Sequence, residues 1–495
     1  MIERGAGRAV RGILAGLAAA AAVVGAAPGA GEDLEIFAHF SSLAGGRDVG
    51  VGGDGTLVFF TSFFSIVPDE DPITAEGLAD KPFLANNADL FTWDPSRDEV
   101  LQFTKTSNIE TSDGDAVLSF TFNDQPAVET RTVPVFGPGD AQPTRERTTA
   151  VAFRSNADQA IVGPTTTVDD VDPRVAALGA TGSTIYVWDS QRDSMDSVFE
   201  FILTPATITL GAPSLSMRSR IVMEKVAGHQ DEVATGLEIR DVLVAFSGNA
   251  NPADDNDDGN SEIFLWSRKR FLEDGQPGGG GLRNGGITQI THTVDGECSS
   301  PAVSPSGAVA FLSTADVTGE NPDGSVELFV WRRGSFRQLT NIASGTIGAP
   351  RWAAGGRTLV FEAAADIVRK NPDESSEIFL WDGRRIRQLT EGTTGGSFSP
   401  STDARGRAVA FVTDADVLGG GAAPASGARE VVLADRTGRD RLQVTFSGDG
   451  FDNEAPHLTG GDALVRLTWI SSSNLDGRNS NNNRRVYRTM IRARP

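Results

Sequence analysis

The chain has 495 residues, of which 56 are glycine and 24 are proline, and its formal net charge is −22 at neutral pH. So many turn-forming residues exclude a protein built of long helices and favour many short strands. The acidic balance argues against nucleic acid or an anionic membrane as the partner.

The first 30 residues have the pattern of a secretory signal peptide. Three arginines precede an uncharged run over residues 12–31, and small residues stand at the expected cut, after Ala27 or Ala30. This pattern predicts export to the periplasm or the medium, with a single domain over residues 31–495. A retained membrane anchor is the alternative. Cys298 is the only cysteine, so core packing or bound ions must stabilise an exported chain without an intrachain disulfide.

One pattern of short strands repeats along the chain. Its clearest copies are "SPAVSPSGAVAFLSTADV", "APRWAAGGRTLVFEAAADI" and "SPSTDARGRAVAFVTDADV", in which Phe311, Phe361 and Phe411 are spaced by fifty residues. An acid-led strand such as "EIFLW" and a closing strand such as "RQLT" follow. The central strands are apolar on both faces, as a sheet sandwiched between two others requires. Four antiparallel strands per period indicate a propeller blade.

We therefore predict an all-β fold, a single β-propeller of seven four-stranded blades. The blades are expected to start near residues 49, 149, 241, 300, 349, 399 and 455. A ring of six blades with one degenerate copy is the alternative. The last copy has no "QLT" strand, whereas "LEIFAHFS" at residues 34–41 has no partner. We expect this N-terminal strand to close the ring by pairing in the last blade, which would remove two exposed edges.

The order of proline, glycine turn, "VAF", "AD", "EIFLWD" and "RQLT" resembles the WD-type repeats of the TolB-like propeller superfamily. The resemblance covers nearly all of the chain after residue 30 and is strongest over residues 300–417. The Gly-His element of eukaryotic WD repeats is absent. TolB carries an α/β domain before its propeller, whereas here the repeat begins almost at the expected cleavage point, so TolB's own role is not carried over. The resemblance implies an envelope or secreted propeller that serves as a binding platform.

Long insertions distinguish the first three copies. In an up-and-down blade, loops between strands two and three and loops between blades emerge on one face. The insertions expected on that face cover residues 66–87, 105–148, 159–183, 205–240 and 249–260, and the insertion expected on the other covers 267–286. The first set is rich in aspartate. One decorated acidic face predicts a binding surface, with disordered decoration as the alternative.

The stretch "ADDNDDGNSEIFLW" contains a candidate calcium loop. Oxygen side chains at every second position can surround one ion, and Gly259 permits the left-handed turn that folds the loop back. The pattern is similar to the short calcium loops of integrin α-subunit propellers. An acidic turn is the alternative, because Glu327 and Glu377 occupy the place of Glu262 without a full cluster. The candidate ligands are Asp254, Asn256, Asp258, Asn260 and Glu262.

No catalytic motif stands out, so we assign no catalytic residue and no cofactor other than calcium. None of the four histidines has metal-ligand spacing, and no G-x-S-x-G elbow occurs. The first hypothesis is a non-catalytic exported propeller, expected to be monomeric, that binds an envelope or extracellular protein or glycan through its acidic loop-rich face. The second is a hydrolase or lyase that acts on polysaccharide at the central tunnel. An enzyme should gather histidine, arginine and carboxylates at the tunnel mouth.

Overall fold

The computed structural model describes residues 34–44, 49–51, 57–62, 89–94, 99–104, 109–112, 115–118, 123–135, 144–155, 184–190, 194–197, 209–224, 233–251, 255–270, 282–392, 394–417, 428–447, 452–461, 464–475 and 484–493. Every regular element within these residues is a strand. None of them belongs to a helix that could cross a membrane. The predicted signal peptide lies outside the described residues.

The described strands form one two-stranded hairpin and seven larger antiparallel sheets, here called blades one to seven in chain order. The first strand is β1 (Leu34–Ala44). Blade one contains β2 (Val49–Val51), β3 (Val58–Ser62), β4 (Asp89–Asp94) and β5 (Glu99–Gln102). A separate hairpin of β6 (Ile109–Ser112) and β7 (Asp115–Leu118) follows. Blade two contains β8 (Asn123–Val135), β9 (Thr144–Ser155), β10 (Thr184–Asp189) and β11 (Ser194–Ser197).

Blade three contains β12 (Ser214–Glu224), β13 (Val233–Gly248), β14 (Glu262–Arg270) and β15 (Leu282–Gln289). Blade four contains β16 (Cys298–Val303), β17 (Val309–Ser313), β18 (Glu327–Arg332) and β19 (Ser335–Gln338). Blade five contains β20 (Thr346–Ile347), β21 (Arg351–Trp352), β22 (Leu359–Ala364), β23 (Glu377–Trp381) and β24 (Ile386–Gln388). Blade six contains β25 (Ser397–Thr402), β26 (Ala408–Thr413), β27 (Glu430–Asp435) and β28 (Arg441–Gln443). Blade seven contains β29 (Asn453–Gly461), β30 (Leu464–Ser471), β31 (Arg485–Ala493) and β1.

Within the described residues, the hydrophobic core consists of seven clusters, each formed where two neighbouring blades face each other. In one of them, Leu328 of blade four packs with Phe361 and Phe379 of blade five. Another joins Ile470 of blade seven to Trp93 of blade one, so the blades follow one another around a ring. Full burial of each such side chain contributes about 1.5–3 kcal/mol, which is why strands two and three are apolar on both faces.

Seven blades are present, as predicted, and the six-bladed alternative is wrong. Blade five has five strands instead of four because its first strand is split into β20 and β21, which both pair with β22. The N-terminal strand pairs in blade seven, as predicted, and closure of the ring by this strand stays a prediction. In β1, Leu34 pairs with Ala493 and Ala44 pairs with Arg485, antiparallel to β31.

Blades two and three have first strands that begin well before the predicted blade starts. Val128 pairs with Val151 inside the blade, and the β8–β9 hairpin then continues to Val135 and Thr144. The β12–β13 hairpin is extended in the same way. The antiparallel order puts the connections at 136–143 and 225–232 between strands one and two. The prediction that all of 105–148 and 205–240 decorates one face is therefore wrong, because these insertions contain strands and reach both faces.

A proline bulge marks the first strand of most blades. The residue before the proline adopts a positive φ, of 53° at Gln125, 52° at Ser300, 52° at Ser399 and 46° at Ala455. The pairing register shifts at the same point in each strand. A bulge bends the strand and re-aims the next side chain. Because these bulges lie near the start of the first strands, they surround one mouth of the central channel.

Candidate functional site

The first strands of all seven blades line a central channel with a cavity volume of about 610 Å³. The residue that follows the proline of the first strand is small in four blades and large and polar in two. The small residues are Ala127, Ser214, Ala302 and Ser401, and the large ones are Arg351 in blade five and His457 in blade seven. Small side chains keep the channel open, and Arg351 and His457 are the two large polar side chains at this position of the first strands.

Arg351 and His457 contact each other from opposite sides of blade six. The Nη1 atom of Arg351 lies 3.2 Å from Nε2 and 3.4 Å from Nδ1 of the imidazole. Burial, and then the adjacent guanidinium, hold the pKa of His457 well below its usual value. Burial also lowers the pKa of Arg351, and the Glu362 carboxylate opposes that shift. At neutral pH the pair therefore presents a guanidinium cation beside a neutral imidazole, which suits an anionic or hydrogen-bonding group.

Glu129, Glu454 and Arg484 also line the channel, and they take part in two ion pairs. Glu129 and Arg131 of blade two lie 2.7 Å apart, and Glu454 and Arg484 of blade seven lie 2.5 Å apart. Arg351 was not predicted as a functional residue from the sequence. The sequence did contain a signal for Arg351, because four of the other copies have a small residue directly after the equivalent proline.

The predicted calcium loop is one of three equivalent loops. "NDDGNSE", "NPDGSVE" and "NPDESSE" align without gaps in blades three, four and five. The amide of the first asparagine is buried in each, and it donates across the loop to a backbone carbonyl four residues on. The distances are 3.0 Å from Asn256 to Asn260, 2.9 Å from Asn321 to Ser325 and 2.7 Å from Asn371 to Ser375.

The left-handed position of this turn does not depend on glycine. Gly259 and Gly324 have φ values of 70° and 69°, and Glu374 occupies the same position in blade five with φ of 52°. Glycine avoids the steric cost of that conformation, whereas glutamate does not. The surrounding hydrogen bonds therefore define the loop in all three blades.

A buried carboxylate anchors the other end of each loop. The carboxylate of Glu327 accepts hydrogen bonds from the Thr340 hydroxyl at 2.5 Å and from the Ile342 amide at 2.6 Å. Gln338 donates to the Thr340 carbonyl at 2.9 Å. These contacts explain why the glutamate that begins strand three and the "Q-x-T" of strand four recur together along the chain. No role for this pairing was predicted from the sequence. The corresponding acids of the other blades are Glu262, Glu377 and Glu430, with Asp89 in the first blade. Burial raises the pKa of Glu377 and Glu430.

The candidate calcium ligands are partly brought together. Asp254 lies outside the described residues, and Asp258 is exposed. Asn256 is 4% exposed, and its Oδ1 atom and that of Asn260 have no hydrogen-bond partner within the described part of the chain. Glu262 already accepts from Thr293, whose amide and hydroxyl lie 2.5 and 2.8 Å away. Among described residues, no group of three or more His, Cys, Asp or Glu side chains could hold a metal ion. Calcium therefore stays a prediction.

These loops and the connections between blades form a surface called the acidic face below. Over blades three to five its described residues carry twelve exposed carboxylates and two exposed cations, Arg369 and Lys370. The carboxylates are those of Asp255, Asp257, Asp258, Asp295, Glu297, Asp316, Glu320, Asp323, Asp366, Asp373, Glu374 and Glu391.

No protein-family model and no curated protein matches the sequence. Among solved structures, the putative TolB from Agrobacterium tumefaciens is 16% identical, with 62% of this chain and 95% of that chain covered and a TM-score of 0.28. An oligogalacturonate lyase in complex with manganese is 11% identical over 94% of each chain, with a TM-score of 0.40. The β-propeller domain of the Trilobed protease from Pyrococcus furiosus is 9% identical over 90% of this chain and 93% of that chain, with a TM-score of 0.38. These likenesses concern the fold alone, and the seven blades themselves give the chain the architecture of a β-propeller.

Proposed function

We propose that this protein is an exported, non-catalytic propeller whose acidic face binds a protein or glycan partner. The observation that carries the proposal is the excess of exposed carboxylates on loops that buried hydrogen bonds hold in place. Loops that are already ordered lose little conformational entropy when a partner binds. Like charges gathered on one side also steer a complementary partner towards that side.

The test is capture of partners from an envelope extract by immobilised protein. A triple variant, Asp323→Asn, Asp373→Asn and Glu374→Gln, removes three exposed charges without touching the buried anchors. We expect partners captured by the wild type to be depleted several-fold with this variant and to be released by moderate salt. Asp440→Asn, an exposed acid on the opposite face, is the matched control. Equal recovery of the same partners on the triple variant would contradict the proposal.

We further propose that calcium stabilises the loop of blade three. The support is the pair of buried amide oxygens, on Asn256 and Asn260, next to the exposed Asp258. An ion bound only by the folded state at one hundred times its Kd would add about 2.7 kcal/mol to the free energy of unfolding. Chelator should therefore lower the melting temperature, and Asp258→Ala should abolish the difference, whereas Asp323→Ala in blade four should not. Identical melts with and without calcium would exclude the ion.

A second candidate function is hydrolysis or elimination on a polysaccharide at the channel. The contact between Arg351 and His457 favours it, because a cation and a neutral imidazole could bind a sugar carboxylate and move a proton. A turnover screen on acidic and neutral glycans should then show activity that Arg351→Ala and His457→Ala both abolish. The absence of turnover with all glycans would leave the binding platform as the function.

A further inference from the structure

The face opposite the acidic face has the opposite charge over blades four to six. It is formed by the turns between strands one and two and between strands three and four, at residues 304–308, 332–335, 353–358, 382–385, 403–407 and 435–440, all of which the structure describes. The only exposed carboxylate among these turn residues is that of Asp440. The arginine face, as we call it, presents nine exposed guanidinium groups: Arg332, Arg333, Arg357, Arg384, Arg385, Arg405, Arg407, Arg436 and Arg439.

Aspartate side chains fix the conformation of three of these turns. Both backbone amides of Arg384 and Arg385 donate to the Oδ1 atom of Asp382 at 3.0 Å. The amide of Arg407 donates to Asp403 at 2.5 Å, and that of Arg439 donates to Asp435 at 2.9 Å. These carboxylates are half-buried or buried, and two of them also lie within ion-pair distance of an arginine side chain, at 3.9 Å from Asp382 to Arg385 and 3.8 Å from Asp403 to Arg407. The arginines that follow them project from ordered backbone.

Backbone hydrogen bonds also connect the turns to one another. The Gly355 amide of blade five donates to the Ala404 carbonyl of blade six at 2.7 Å, and the Ala404 amide donates to Gly460 of blade seven at 3.1 Å. Within blade six, the Arg436 amide donates to the Arg407 carbonyl at 2.7 Å. These bonds hold the turns of Arg357, Arg405, Arg407, Arg436 and Arg439 on one connected backbone surface, which lowers the entropic cost of binding a polyanion.

The extended hairpins of blades two and three stand beside this surface on the same face. The β8–β9 hairpin continues seven residues beyond the pair Val128–Val151, which at 3.3 Å per residue is about 23 Å. The β12–β13 hairpin continues nine residues beyond Leu215–Val244, or about 30 Å. A flat bilayer could not reach the arginine turns next to such projections, whereas a linear polymer could lie along their base.

We propose that the arginine face binds an acidic polysaccharide. A guanidinium group donates two parallel hydrogen bonds to one carboxylate, so a row of uronate carboxylates matches a row of arginines. The six turns contain no aromatic residue, which leaves no stacking platform for the bases of a single-stranded nucleic acid. The choice of a polysaccharide rests on the export in the proposed function. The location of the site is independent of that proposed function, because the arginine face lies opposite the acidic face and has the opposite charge.

The test measures binding of the whole protein to immobilised polygalacturonate at low and moderate salt. Arg384→Gln, Arg385→Gln, Arg436→Gln and Arg439→Gln together should weaken binding at least tenfold, because these exposed side chains carry charge but little packing. The corresponding lysine variant keeps the charge and should still bind several-fold more weakly than the wild type. The acidic-face triple variant is the control and should bind polygalacturonate no more weakly than the wild type. Fully methyl-esterified polygalacturonate should not bind.

Three results would overturn this proposal. One is undiminished binding by the glutamine variant, and another is equal binding by the lysine variant, which would indicate simple ion exchange. The third is tighter binding of duplex DNA or of phosphatidylserine vesicles than of polygalacturonate. None of these results bears on capture of partners by the acidic face, so the two proposals can fail separately.

Discussion

Blades five and seven each contain a stacked aromatic pair in their core, but their outer strands are connected to the chain differently. The stacked aromatic pair is Phe361 with Phe379 in blade five, with ring centroids 5.5 Å apart, and Trp469 with Tyr487 in blade seven, at 5.8 Å. In blade five the outer strand β24 follows β23 through a short turn. In blade seven the outer strand is β1, at the far end of the sequence from β31.

The outer strand is held in place differently in the two blades. Strand β24 forms three residue pairs with β23, and the anchor at Glu377 adds side-chain hydrogen bonds just beyond it. Strand β1 forms eight residue pairs with β31, and its sequence contains no "Q-x-T". Tyr487 holds the neighbouring loop by donating to the Ser473 carbonyl at 2.7 Å. A strand without a short connection must first overcome the entropy of closing a long loop, so it needs longer pairing.

The largest effect is expected from removing β1. A chain that starts at residue 45 leaves the backbone of β31 without its outer partner, whereas a chain that starts at residue 31 keeps it. At about 0.5–1.5 kcal/mol per net hydrogen bond, the loss should be several kcal/mol. Chemical denaturation of the two chains measures it. The shorter chain should also aggregate, because an unpaired edge recruits other strands. Equal midpoints would mean that β1 does not latch the ring.

A smaller loss is expected from breaking the anchor in blade five. Glu377→Ala removes the acceptor of the Gly392 amide and of the Ser375 hydroxyl, and leaves the buried Gly392 amide without this partner. The cost should be about 2–4 kcal/mol in the free energy of unfolding. Glu391→Ala is the matched control, since it removes an exposed carboxylate 3.3 Å from Lys370 and should change stability by less than about 1 kcal/mol. If both variants unfold at the same midpoint, the anchor is not structural.

The sequence was sufficient to predict the strands in which a run of apolar residues coincides with burial on both faces of the sheet. Strands two and three of every blade are apolar on both sides because each packs against two neighbours, so Phe311, Phe361 and Phe411 identified their blades by spacing alone. The position of β1 followed from counting strands. The first strands of blades two and three were missed because their hairpins are long, and the outer half of the blade-two hairpin is also polar. The Gln125-Pro126 pair, equivalent to Ser300-Pro301, was the signal that could have found the strand in blade two.

The candidate sites were less predictable because they depend on which loops converge. The pattern around Asp258 indicated a metal site from one loop, whereas its equivalents in blades four and five show that the asparagine and glutamate also have a structural role. Arg351 and His457 are 106 residues apart in sequence, and only the ring brings them into contact. The separation of charge between the two faces was hidden by the net charge of −22, since arginine turns and aspartate loops alternate along the chain.

The smallest expected effect is the pH dependence that His457 contributes. Its pKa in the folded protein lies well below the ordinary value of 6.5, chiefly through burial and then through Arg351. As the pH falls below 6.5, the unfolded chain binds a proton at this residue and the folded protein does not, so the free energy of unfolding decreases. The slope approaches 1.4 kcal/mol per pH unit, or roughly 1 kcal/mol between pH 7 and pH 5.5.

His457→Gln should therefore lose about 1 kcal/mol less stability than the wild type over this pH interval, as measured by urea denaturation at each pH. The raised pKa of Glu377 and Glu430 acts in the opposite direction, because the folded protein then takes up protons before the unfolded chain does. That contribution is present in both proteins and cancels in the difference. His292→Gln, at an exposed histidine, is the control. Parallel pH profiles for the wild type and His457→Gln would show that the imidazole can be protonated in the channel, and the channel would then carry a second cation in mild acid.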